Sequence, residues 1–207
     1  MKRWLPYREH LHTGDWQVHT TWSDGTSSIF DYCAEAKRRG LNLVAFTEHV
    51  RRTLQYDFWA YVREVEEARQ HFTDLILLAG CEAKVLNTAG DLDAPPEVLE
   101  GCDLVLAAFH SFHPPEDYIE AVETMLCNPK VDGWAHPTLY AKKHGIALDD
   151  KQENRLVQLC IDHEVLIEFN SKHQVPSASL REKIIASRAP FIYGSDAHCV
   201  SELGRRD

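Results

Sequence analysis

Five histidines recur at one kind of place in this chain. His19, His49, His110, His136 and His198 each stand at or just past the end of an apolar run, and Asp24, Glu82 and Asp196 occupy neighbouring positions of the same kind. Imidazole and carboxylate, with no thiolate among them, suit borderline divalent ions such as Zn, Mn or Fe. So many ligands exceed what one ion requires, so two or three ions are expected, with a carboxylate such as Glu82 available to bridge. Ions held in this way lower the pKa of a bound water and hold phosphate oxygens, which is the chemistry of metal-assisted hydrolysis.

One histidine at a strand end is usually a hydrogen-bonded loop residue. Five in one register are hard to explain in that way. His10, His12, His71, His144 and His163 lie outside the register and read as non-ligating. His113 and His173 fall just beyond strand ends and are placed as candidate substrate contacts. Arg51, Arg52, Lys84 and Lys172 also lie near such ends, where a cation can meet a phosphate. Trp22 and Tyr140 read as packing residues at the edge of a pocket.

These groups must be positioned by the elements before them. The stretch 15–25, Asp-Trp-Gln-Val-His-Thr-Thr-Trp-Ser-Asp-Gly, predicts a short strand running into a polar turn, with Gln17 and His19 on one face. Apolar runs at 43–47, 75–81, 103–109, 131–135, 165–169 and 191–194 read as further buried strands. Helical patterns at 27–39, 57–72, 116–127, 151–163 and 179–187 separate them, with a looser excursion and a short helix between 87 and 100. Ser27 or Ser28 can cap the first helix and Gly40 can end it.

Alternation of strand and helix implies an α/β fold with a parallel sheet, either open or closed into a barrel. An open sheet gathers its site near a switch point, whereas a barrel draws groups from nearly every strand end. Here almost every strand supplies a candidate, which favours a small barrel.

The 207 residues, 44% of them hydrophobic, suffice for one domain with a substantial core. No stretch approaches the roughly 20 apolar residues of a membrane span, and the start has no apolar signal region, so a cytoplasmic protein without membrane contact is expected. Six cysteines without close pairing read as free thiols, with Cys81, Cys102 and Cys160 in the core. A formal net charge of −10 argues against a broad nucleic-acid surface. It says less about a small anion, because bound cations reverse the local field.

The motifs Gln17-Val-His19-Thr20 with Ser23-Asp24-Gly25, Phe46-Thr-Glu-His49, Gly80-Cys-Glu82, Ala108-Phe-His110-Ser111, Ala135-His136-Pro137 and Gly194-Ser-Asp196-Ala-His198 occur in an order that resembles the PHP (polymerase and histidinol phosphatase) superfamily. The stretch 91–110 is most similar to the PHP modules of family X DNA polymerases and their stand-alone phosphatase relatives. The resemblance implies a distorted seven-stranded (β/α)7 barrel with its metal site at the carboxyl ends of the strands. It implies one ion at Gln17, His19, Glu82 and Asp196, a second at Glu82, His110 and His136, and a third at Asp24, His49 and His198. Asp196, His198 and Glu82 would be essential to catalysis, a hydroxide bridging the ions would attack phosphorus, and Arg51, Arg52, His113 and Lys172 would bind substrate.

Three departures accompany the resemblance. Gln17 stands where the family usually has His, and a neutral amide oxygen is a poorer ligand. Glu48 replaces the usual Asp. The chain also stops soon after the last motif, where relatives generally continue, which suggests a minimal or truncated barrel. A phosphomonoesterase acting on a small phosphorylated metabolite is expected. A 3′-5′ exonuclease or nucleotide phosphodiesterase, and a catalytically impaired module that binds a partner, are the alternatives. Oligomeric state is not legible.

Overall fold

Seven strands, all parallel and hydrogen-bonded in chain order, build the molecule among the described residues of this computed structural model, residues 2–206. Met1 and Asp207, the two ends of the expected single domain, lie outside the described residues. The strands are β1 (Asp15–Val18), β2 (Leu43–Val50), β3 (Ile76–Lys84), β4 (Leu104–Ala108), β5 (Gly133–Trp134), β6 (Leu166–Asn170) and β7 (Phe191–Gly194). Helices α1 (Ile29–Arg39), α2 (Phe58–His71), α3 (Pro96–Gly101), α4 (Tyr118–Leu126), α5 (Leu139–His144), α6 (Asp150–Asp162) and α7 (Ala178–Ala186) connect them.

The sheet nearly closes on itself through the residues just past β7. Asp196 N donates to Gln17 O and His19 N donates to Ala197 O, both at 2.9 Å. The expected seven-stranded barrel is therefore present, and its seam runs beside the candidate ligands.

Alternation along each strand separates two cores. Leu43 and Ala45, Leu78, Leu104, Leu106 and Ala108, Leu166 and Ile192 face inward and pack together in the barrel. Val44, Phe46, Leu77, Ala79, Val105, Ala107, Ile167 and Phe169 face outward against the helices. Period-two geometry then carries each inner row upward to a polar residue: 104, 106 and 108 lead to His110, and 43, 45 and 47 lead to His49.

The barrel's lower mouth is filled by the chain's own beginning. Trp4 is buried in the inner core with Leu5, Tyr7 and Leu11 against it, and its indole Nε1 donates to Glu164 O at 2.9 Å. Arg3 pairs with buried Asp132 at 2.8 Å, just before β5. This apolar plug excludes water from the amino-terminal end and leaves the carboxyl end as the polar mouth.

The helices follow their local signals. Ser28 caps α1 in a reciprocal capping box with Asp31, and Gly40 ends the helix at φ 71°. Differences from the sequence expectation concern extent. Strands β2 and β3 continue through His49 and Glu82, and α5 occupies a stretch where no helix is predicted. Among the described residues no helix is long and apolar enough to cross a membrane.

Candidate metal centre

Glu82 is the hub of the site. It sits on the inner face of β3, 1% exposed, and four imidazoles converge on its carboxylate. His136 Nε2 lies 2.8 Å and His110 Nε2 3.0 Å from Oε1. His19 Nε2 lies 3.3 Å and His49 Nδ1 3.5 Å from Oε2. Burial works to raise the Glu82 carboxyl, yet the imidazoles of His110, His136 and His19 beside it hold it well below the usual carboxylate range.

Asp24 forms a second hub nearer the solvent. Its Oδ2 is 3.4 Å from both His49 Nε2 and His198 Nε2. Hydrogen bonding to His198, then to His49, lowers the Asp24 carboxyl, and the same contact raises His198. His49 is raised as well: burial opposes its charge, but Asp24 and Glu82 outweigh it. Burial would likewise raise Asp196, but His173 and the nearby His19 hold it low.

His19 tests whether these residues suit a cation. Its ring is fully buried, stacked on His49 with centroids 4.4 Å apart, and neither ring nitrogen makes a well-formed hydrogen bond among the described residues, Nε2 standing 3.3 Å from Glu82 Oε2 and 3.6 Å from Asp196 Oδ1. His49 Nδ1 is orphaned in the same way. Leaving such nitrogens unsatisfied is costly, and a coordinated ion removes that cost. Donor atoms of His19, Asp24, His49 and His198 lie within 4.8 Å of one another, and so do those of His49, Glu82 and His110. The set fits borderline divalent ions.

Two of the candidate ligands reach the pocket through strained backbone. His136 has φ 30° and Asp196 φ 53°, both in the left-handed region that side-chain-bearing residues seldom adopt. Gly25 permits the turn that brings Asp24 in, since a Cβ there would stand 2.2 Å from His19 O. Glu48 does not enter the pocket: it is buried on the outer face, where Oε1 accepts from Thr20 N at 2.9 Å and Oε2 from Ser23 Oγ, bracing that same turn.

The pocket is a cavity of about 180 Å³ lined by His49, Glu82, His110, His136, Leu139, Lys143, Lys172, His173, Asp196 and His198. Of the expected substrate contacts, Lys172 lines it, with Nζ 3.3 Å from Asp196 Oδ1. Arg51, Arg52 and His113 do not line it. Arg51 lies 3.8 Å from Asp93, Arg52 N donates to the same carboxylate, and exposed His113 precedes a cis proline. Lys84 Nζ lies 3.3 Å from Ser111 Oγ, also outside the lining. Trp22 and Tyr140 bond to Glu64 and to Phe112 O and pack away from the pocket.

Sequence reasoning missed three groups. Lys143 comes from the unexpected α5. Glu168, fully buried on the inner face of β6, accepts from His136 N, and burial together with the Asp196 charge pushes its carboxyl well above the usual range. Asn170 Nδ2 lies 3.3 Å from Asp196 Oδ2 and 3.2 Å from Glu168 Oε1. A lone carboxylate inside an apolar run, Val165-Leu-Ile-Glu168-Phe, was the available signal.

Fold and site together define an α/β barrel with a histidine- and carboxylate-rich centre at its carboxyl mouth. The chain belongs to the PHP domain family, whose model matches residues 15–172. It is 32% identical over 168 residues to a DNA polymerase/3′-5′ exonuclease of Bacillus subtilis, covering 76% of this chain and 29% of that protein's length. It is 28% identical over 207 residues to a probable phosphatase of Caldanaerobacter subterraneus, covering 93% of this chain and 79% of the relative. Among solved structures, a histidinol phosphate phosphatase of Lactococcus lactis, complexed with Zn, L-histidinol and phosphate, superposes with TM-score 0.70 at 15% identity, covering 95% of this chain and 89% of that one. A putative histidinol phosphatase of Listeria monocytogenes gives 0.76 at 16% identity, with 93% and 97% covered.

Proposed function

We propose that this chain is a metal-dependent phosphoesterase that hydrolyses monoesters of small phosphorylated metabolites. The carrying observation is the convergence of His19, His49, His110 and His136 on Glu82, with His19's buried nitrogens making no well-formed hydrogen bond among the described residues. Two or three Zn, Mn or Fe ions are the cofactors, held by His19, Asp24, His49, Glu82, His110, His136, Asp196 and His198. Bound there, such ions polarise a phosphoryl oxygen and acidify a water.

The chain's own residues supply binding and charge. Lys172, Lys143 and His173 at the rim offer cationic or hydrogen-bonding partners to the oxygens of a phosphate. Glu82, held ionised by its imidazoles, keeps the acceptor side of the centre charged at neutral pH. Asp196 and His198 line the cavity on the same turn, where loss of either removes a polar group of the centre and a contact to Lys172. Similarity to probable phosphatases across most of the chain supports a monoester substrate. Free cysteines are consistent with a reducing cytoplasm.

A second reading, 3′-5′ exonuclease or nucleotide phosphodiesterase, is favoured by the similarity to the polymerase-associated exonuclease. Assays with a nitrophenyl monoester, a diester and a labelled oligonucleotide, each with added Mn or Zn, separate the two. Preferential turnover of the monoester supports the first reading. Preferential degradation of the oligonucleotide replaces it with the second, and no turnover of any of them points to a binding module.

A further inference from the structure

A relay of hydrogen bonds fixes how Gln17 faces the centre. His173 N donates to Asn170 Oδ1 at 2.9 Å, and because a backbone amide can only donate, that contact sets which way the Asn170 amide points. Asn170 Nδ2 is thereby turned to Gln17 Oε1 at 3.4 Å, and Gln17 Nε2 donates to Glu82 Oε2 at 3.0 Å. Flipping Gln17 would set its oxygen against a carboxylate oxygen and its NH2 against another NH2. Only a cation shared with Glu82 would offset those repulsions.

An amide nitrogen has no lone pair for a cation. Asp196, the other carboxylate of this corner, is engaged too: Lys172 Nζ stands 3.3 Å from Oδ1, Asn170 Nδ2 3.3 Å and His173 Nε2 3.4 Å from Oδ2. The Gln17 and Asn170 NH2 groups and the Lys172 ammonium therefore place three nitrogens without a lone pair at the corner formed by Gln17, Glu82 and Asp196, where the His19 ring stands 3.3 Å from Glu82 Oε2 and 3.6 Å from Asp196 Oδ1. The two groups whose donor atoms cluster, His19, Asp24, His49 and His198 in one and His49, Glu82 and His110 in the other, do not include Asp196.

From this we infer that the centre takes two divalent ions rather than three, and that the Gln17 amide and the Lys172 ammonium stand in for an ion between Glu82 and Asp196. Lys172 supplies the positive charge there. Because Lys172 also lines the cavity, a phosphate entering the site meets a cation on that side. The inference rests on the reading of the strand ends as a hydrolytic metal centre and concerns its stoichiometry.

The test is equilibrium dialysis of chelator-stripped protein against Mn2+ and, separately, Zn2+, followed by elemental analysis, with anomalous scattering from soaked crystals to locate the ions. The unmodified chain is expected to bind about two ions, neither of them at Gln17. The double variant Gln17→His with Lys172→Met, which supplies a lone pair and removes the ammonium, gains a third. Gln17→Glu gives a second, independent route to the same gain should the double variant fail to fold. One or three ions in the unmodified chain, or no gain in a folded variant, overturns the inference and leaves the metal centre standing. No bound ion overturns both.

Discussion

Ser195 N donates to Asp15 Oδ1 at 3.0 Å, joining the first strand to the chain beyond the last. The other oxygen of Asp15 accepts from Gly204 N at 2.7 Å, so one carboxylate, 2% exposed, holds the seam of the barrel. The seam positions Gln17, His19 and Asp196, because their backbone bonds cross it one step higher.

Replacing Asp15 by Ala leaves buried backbone donors without acceptors. The expected cost is about 2–4 kcal/mol, read as a lowered midpoint in denaturant titration, since each unsatisfied buried donor costs about 1–3 kcal/mol. A variant as stable as the parent would show that the seam does not depend on this carboxylate.

Asp196→Ala, His198→Ala and Glu82→Gln each remove a group at the centre of the site. Turnover is expected to fall at least about 100-fold, since altering even an outer partner of a metal ligand costs about 10–100-fold. Far-ultraviolet circular dichroism should keep its native form in Asp196→Ala and His198→Ala. Unchanged turnover in Asp196→Ala and His198→Ala would remove both from the catalytic assignment.

Glu168 and Gly194 form a tight pair beneath the candidate ligands. A Cβ on Gly194 would stand 1.7 Å from Glu168 Oε1, and Glu168 in turn accepts from His136 N. Gly194→Ala is therefore expected to cost about 1–3 kcal/mol through overpacking and to lower metal content by displacing His136. Normal stability and full metal content would contradict the role given to the pair.

Proton release should accompany metal binding. In the metal-free fold, His49 and His198 are raised above 6.5, so the stability they contribute is complete below that value and is lost as pH rises through their raised values. Asp24 is lowered below 3.8, and its contribution is present above that value and lost as pH falls through the depressed one. A cation must displace the imidazole protons, so affinity should weaken as pH drops. Titration calorimetry in two buffers of different ionisation enthalpy should show net proton release near neutral pH; none would contradict the assignment of His49 and His198 as ligands.

The thiols divide by burial. Burial pushes Cys33 up to about 12 and Cys160 higher, and Cys102 is raised by its contact with Cys81 and by burial. At pH 8 a thiol reagent should modify exposed Cys127 and half-buried Cys199 quickly, and the other four only after unfolding. Rapid native-state labelling of all six would indicate that the helical layer opens freely.

Much of the barrel was legible because its signals are local. Inner rows such as Leu104, Leu106, Ala108 and His110 follow strict alternation, and α1 announces itself through Ser28 and Gly40. His136 and Asp196 were legible by residue type only; their left-handed backbone has no periodic signature. Trp4 and Tyr7 gave no hint of filling the lower mouth, because a plug is defined by contacts with strands far along the chain. Arg51 and Arg52 were placed at the mouth from chain position, but Asp93 pairs with the Arg51 side chain and accepts from the Arg52 backbone, and neither arginine lines the cavity. Lys143 was hidden by α5, a short helix entered through Thr138 at φ 68°.

The central claim is that separate strand ends share cations in one pocket. Anomalous scattering from crystals soaked in Mn2+ tests it most directly. Peaks within coordinating distance of Glu82, His110 and His136, and of Asp24, His49 and His198, are the predicted result. Saturated crystals with no peak in that cavity, or with Mn2+ bound only at surface carboxylates, would contradict it.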